Sequence, residues 1–127
     1  MFSSLQADIT SLWTFRDTLY DLITFSLVLE HIEKLEHIFQ ETAVALVPGG
    51  YVYLGELHPF KQYSGTKARF DTEACRQVVP CFTHHVSEFT QTAKRHGLEV
   101  IHLQEYFDNN DTSTLPRILT ILFKKKS

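Results

Sequence analysis

The stretch from Asp21 to Pro59, DLITFSLVLEHIEKLEHIFQETAVALVPGGYVYLGELHP, decides the fold. Its first eight residues, Asp21 to Val28, are apolar and β-branched with little alternation, the pattern of a strand covered on both faces of a parallel sheet. A helix follows. Leu35, Ile38, Phe39, Thr42, Ala43 and Leu46 recur at helical spacing, with Glu33, Lys34, Gln40 and Glu41 on the opposite side. Pro48 stops the helix, and Gly49 and Gly50 are available for positive φ. Residues Tyr51 to Leu57 then predict a second strand, and a right-handed crossover sets it parallel to the first.

Working outward, no glycine precedes Gly49, so the glycine-rich phosphate loop that opens many α/β nucleotide folds is missing from this stretch. Residues 2–9 read as a short strand or extended arm. Beyond Leu57, residues 58–82 show no period and mix Lys, Arg, Gln, Ser and aromatics, which predicts a long excursion of the kind that carries function. Ser87 is placed to cap a helix with Phe89 and Ala93 on one face and Gly97 at its C′ position. Residues 98–107 and 117–125 predict two further strands in an antiparallel hairpin.

Composition narrows the function classes. At 127 residues, with 43% hydrophobic and 21% charged residues, the chain fits a single domain over 1–127. A net charge of -3, with KKK at 124–126 as the only basic run, argues against nucleic acid. The N-terminal residues lack the features of a secretory signal, and no apolar run reaches the roughly 20 residues of a membrane span. A cytoplasmic location is expected, with Cys75 and Cys81 as reduced thiols. His84 and His85 suggest a metal, but neighbours on an extended segment point in opposite directions, and no metal is expected.

Two motifs, YDLITFSLVLEHI and LVPGGYVYLGELHP, together resemble the C-terminal portion of class I S-adenosylmethionine-dependent methyltransferases, particularly the small-molecule group of ubiquinone and menaquinone biosynthesis. The resemblance runs from Asp8 to Phe123. It implies an α/β fold: a partial Rossmann-like methyltransferase sheet closed by a C-terminal antiparallel hairpin. It also implies S-adenosyl-L-methionine as cofactor and a small molecule as methyl acceptor. Asp8 and Ile9 match the acidic-plus-apolar step that meets the adenine, and a carboxylate is well suited to accept from an exocyclic amine. Phe25, Ser26 and Leu27 would lie under the methionine part, at the carboxyl edge where ligands of open α/β sheets bind. His58 and then His31 are the candidates for a base or orienting group. Lys61, Gln62, Tyr63 and Arg69 would face the acceptor.

The family's first two strands and glycine-rich loop should lie upstream of residue 1, so a truncated enzyme is expected. The alternative is a noncatalytic remnant serving as an interaction or dimerisation module. Either way, strand 21–28 loses its neighbour, and such an edge has to be covered. Residues 2–9 could move into the gap, or a homodimer could pair the strand with its own copy across a two-fold axis. Simpler roles compete: Asp8 as a turn residue, Glu30 and His31 as helix-start groups, His58 as a strand end.

Overall fold

The computed structural model describes residues 3–14, 18–60 and 81–127. Strand β1 (Tyr20–Ser26) leads through a 3-10 turn (Leu29–His31) into helix α1 (Leu35–Ala45) and strand β2 (Leu46–Leu57). The long excursion expected over 58–82 lies mostly outside the described residues; after it in the chain come α2 (Val86–Arg95), β3 (Leu98–Phe107) and β4 (Pro116–Lys125). These strands form one mixed sheet in the order β1-β2-β4-β3. β1 and β2 are parallel, while β2 with β4 and β4 with β3 are antiparallel. The crossover and the closing hairpin thus both form as expected.

One face of the sheet carries Phe25, Val52, Leu54, Leu119, Ile121 and Phe123, all buried. Against it pack Leu35, Ile38 and Phe39 of α1 and Phe89 and Ala93 of α2. Phe39 meets Phe123 edge to face, ring centres 5.7 Å apart, a geometry aromatic pairs favour. The opposite face presents Leu22, Tyr51, Tyr53 and Tyr106 to solvent.

Several expectations are corrected. β1 is not covered on both faces: Phe25 is its one buried residue, because no strand among the described residues pairs with its outer edge and the sheet's second face is open. Residues 3–9 do not fill that position; they form no strand and are largely exposed. Helix α1 ends before Leu46, which is already extended, and Glu41 is buried on the helix rather than solvated. The residue before α2 is His85, with Ser87 inside the first turn.

The Pro-Gly-Gly turn divides its work between two glycines. Gly49 takes φ +83, as its backbone freedom permits. Gly50 does not; a Cβ there would stand 2.9 Å from the Val47 carbonyl and 3.1 Å from that of Asp21. Its role is close approach of two backbones. Residues 47–50 bulge out of the ladder, since Tyr20 pairs with Leu46 and Leu22 with Tyr51. Helix passes directly into strand here, and Lys125 from β4 secures the junction by donating from Nζ to the carbonyls of Ala43 (2.6 Å) and Leu46 (2.9 Å).

Candidate functional site

The carboxyl ends of the parallel strands β1 and β2 lie side by side, with Phe25, Ser26 and Leu27 at the end of one and His58 just past the other. Ser26 closes β1 and Leu27 follows it. Leu27 adopts φ 53, a left-handed backbone that disfavours a branched side chain, and is about half exposed. Its amide donates to the carbonyl of Gly55 on β2, 2.8 Å away. Strain of this kind clusters at functional sites.

Asp8 sits in a turn of its own making. Its carboxylate accepts from the Thr10 hydroxyl (2.6 Å) and the Thr10 amide (2.9 Å), and those bonds, hydroxyl first, hold it below the usual carboxylate range. The turn then brings Trp13 inward, where its indole N–H donates to the carbonyl of Ile9 at 2.9 Å. Ile9, Trp13, Tyr20, Leu22, Ile23 and Phe25 line an apolar groove of about 260 Å³ beside β1. Ile9 and Phe25, far apart in sequence, therefore share one wall. Trp13 was missed from sequence because nothing there indicated that it turns back toward Ile9.

His58 is fully buried with both ring nitrogens engaged. The Phe60 amide donates to Nδ1 at 3.1 Å, which leaves the proton on Nε2, and Nε2 donates to the Glu105 carboxylate at 2.6 Å. The ring also meets Phe60 edge to face. This arrangement fixes tautomer and orientation together. His31 is about one third exposed on the 3-10 turn; Nε2 lies 3.7 Å from Glu30 and Nδ1 lies 3.7 Å from the Cys81 sulfur. Cys81 is disulfide-bonded rather than the reduced thiol expected. Cys75 lies outside the described residues, as do Lys61, Gln62, Tyr63 and Arg69.

The 3-10 turn is gripped from two sides. On one, the buried carboxylate of Glu56 accepts the amides of Leu29 (3.1 Å) and Val28 (3.3 Å). Burial, opposed by these bonds and by one from the Glu30 amide, and the nearby charge of Glu30 push Glu56 up to about 7. On the other, the Phe82 amide donates to the carbonyl of Glu30 at 2.7 Å, and His84 Nε2 donates to that of Ile32 at 2.5 Å. His84 is buried, His85 is exposed, and the remaining nitrogen of His84 meets Glu88 at 2.7 Å. Among the described residues no group of three metal-ligating side chains assembles. Glu56 escaped notice because an acidic residue in a strand reads as solvent-facing, whereas the register here turns it inward beside Leu119.

The family model of a methyltransferase domain matches residues 2–54. Over 94% of the chain, the structure superposes on an S-adenosylmethionine-dependent methyltransferase from Mesorhizobium loti, with TM-score 0.73 and 21% identity. This is a class I methyltransferase fold. Another such enzyme, from Clostridium acetobutylicum, superposes with TM-score 0.69 and 13% identity over 95% of the chain. The N-methyltransferase NodS from Bradyrhizobium japonicum, solved in complex with S-adenosyl-L-homocysteine, gives TM-score 0.60 and 17% identity, again over 95%. The chain spans 67%, 63% and 53% of the lengths of these three methyltransferases. No curated protein matches it. No described helix is long and apolar enough to cross a membrane.

Proposed function

We propose that this chain takes part in methyl transfer from S-adenosyl-L-methionine to a small molecule, and that its own residues hold one side of the cofactor. The observation that carries this reading is the convergence of Ile9 and Phe25 on one apolar groove beside β1. Two segments matched to cofactor contacts on separate motifs meet at one place in space. The groove's aromatic and aliphatic lining suits the face of a purine, and Asp8 stands next to it in the chain as an acceptor for the exocyclic amine. Ser26 and Leu27 would lie under the methionine moiety.

The cofactor's sulfonium supplies an electrophilic methyl group. The protein then has to align the acceptor in line with it and exclude water. His31, partly exposed on its turn, is better placed to touch an acceptor than His58. With both nitrogens occupied, His58 serves as an orienting group behind the site unless one of its hydrogen bonds opens. Lys61, Gln62, Tyr63 and Arg69 are proposed for the acceptor's far side.

A second element of the proposal concerns β1. Its outer edge lacks a strand partner among the described residues, and Leu22 beside it is exposed. A second copy of the chain, pairing β1 with β1 across a two-fold axis, would cover that edge. This arrangement also fits a noncatalytic dimerisation module.

Calorimetric titration with S-adenosylhomocysteine separates the two roles. Heat with one-site stoichiometry supports the enzyme reading, and Asp8→Ala should weaken the binding. Absence of heat at millimolar ligand would remove that reading and leave the module.

A further inference from the structure

The 3-10 turn carrying Glu30 and His31 has no side-chain cap of its own. Its first amides must find acceptors elsewhere, because a buried helix start without partners is costly. They find them on another strand. Glu56 is 1% exposed, yet its two carboxylate oxygens divide between the Leu29 and Val28 amides. The bond spans two strand ends: Val28 and Leu29 follow β1, and Glu56 lies two residues before His58 at the end of β2.

We infer that Glu56 is a positioning residue, a carboxylate that clamps the amides of Val28 and Leu29 and so fixes where Glu30 and His31 stand at the carboxyl edge of the sheet. As a role in methyl transfer, this rests on the function proposed above. The clamp itself rests on geometry alone. The other side of the turn is tied by Phe82 and His84 through the carbonyls of Glu30 and Ile32. Donors and acceptors of the turn are therefore held by different parts of the chain, and the turn can move only if one of them lets go.

The charged groups around Glu56 define what releases it. From the turn, the Glu30 carboxylate faces it with like charge. From β4, the cross-strand neighbour is the apolar Leu119. From β3, Glu105 lies beyond Leu119 in the same row, paired with His58. No cation compensates Glu56 within this set, so the backbone amides are what hold the ionised form. Protonation removes one acceptor and loosens the grip on the turn. The clamp is tight when Glu56 is ionised and slack when it is protonated, with the change centred near pH 7.

The test is nuclear magnetic resonance of the wild-type chain from pH 5.5 to 8.5, repeated for Glu56→Gln and Glu56→Asp. In the wild type, the amide resonances of Val28 and Leu29 should titrate together near neutral pH, and in Glu56→Gln that titration should vanish. The His31 ring resonances should differ between the two proteins, because the turn has shifted. Val28 and Leu29 amide resonances that match between wild type and Glu56→Gln at pH 8.5 overturn the inference, as do His31 resonances unchanged in Glu56→Gln. The wild-type titration needs no variant to fold, and Glu56→Asp keeps the charge while shortening its reach. S-adenosylhomocysteine titration is the second arm. Affinity for Glu56→Gln should fall about tenfold, the scale of one lost hydrogen bond to a charged group. If the wild type binds and the variant binds equally well, the role in positioning the site is refuted. If the wild type does not bind, the proposed function fails, while the amide titration still decides the clamp.

Discussion

Replacing Lys125 by Met should cost the fold about 2 kcal/mol, although the residue sits in a lysine run that reads as a solvated tail. The ammonium donates to two carbonyls, 2.6 Å to Ala43 and 2.9 Å to Leu46, one in the last turn of α1 and one just past it. Hydrogen bonds to a charged group are worth roughly 1.5–3 kcal/mol, and a cation at a helix C-terminus adds about 0.3–1 kcal/mol. Against this stands the ordering of a long side chain, about 1.5–2 kcal/mol, so the net is near the value of a single bond. Methionine keeps most of the apolar stem, which confines the change to the ammonium. Urea denaturation of Lys125→Met should show the loss at an unchanged slope, and the thermal midpoint should drop by about 8 °C. Lys124→Met is the control. Its ammonium stands 5.8 Å from the ring centre of Tyr51, a contact worth about 0.5–1 kcal/mol. Losses that are equal in the two variants, or below about 0.5 kcal/mol for Lys125→Met, would refute the reasoning.

Glu56 ties stability to pH. Its folded pKa of about 7 lies above the ordinary 4.5, so the fold retains a proton that the unfolded chain releases between those values. The stability it contributes is complete below pH 4.5 and is lost as pH rises through 7, about 3 kcal/mol in all. Wild type minus Glu56→Gln, measured by denaturation from pH 4.5 to 8, should show that slope, and a flat difference would contradict it. Gly50→Ala should destabilise by about 3 kcal/mol, since the added Cβ meets backbone oxygens at 2.9 and 3.1 Å that cannot step aside. Gly49→Ala has open space around it and should lose only about 1 kcal/mol, from its positive φ. Equal losses at the two glycines would be incompatible with this division of roles. If β1 pairs with its copy, the wild type should sediment as a dimer and Leu22→Lys as a monomer; a monomeric wild type removes that interface.

Periodicity and turn chemistry made most of the fold legible. The run of Leu35, Ile38, Phe39, Thr42 and Ala43 specifies α1, and Gly97 marks the end of α2 through its positive φ of 76. The spacing of 98–107 and 117–125 around a polar loop was enough for a hairpin. What sequence could not convey was the company each element keeps. β1 looks like a central strand because its residues are apolar, but burial depends on neighbours, and among the described residues one edge has none. The same holds for the site. Asp8, Ile9 and Phe25 could be named from motifs, whereas Glu56, Glu105 and Trp13 acquire their parts only through register and turns. His58 was visible as a chemical group, but the amide of Phe60 and the carboxylate of Glu105, which leave it no spare nitrogen, were not.

The strand order has a consequence for assembly. β4 follows β3 in the chain, yet it lies between β2 and β3, and each pairs with it rather than with the other. Until residues 116–125 are in place, nothing joins β3 to β1 and β2. Joining the sheet therefore depends on the pairing of β4 with β2, a non-local step. In a growing chain everything before that point is vulnerable to association with other molecules. Loss of even a few residues from β4 would remove the middle of the sheet rather than its margin.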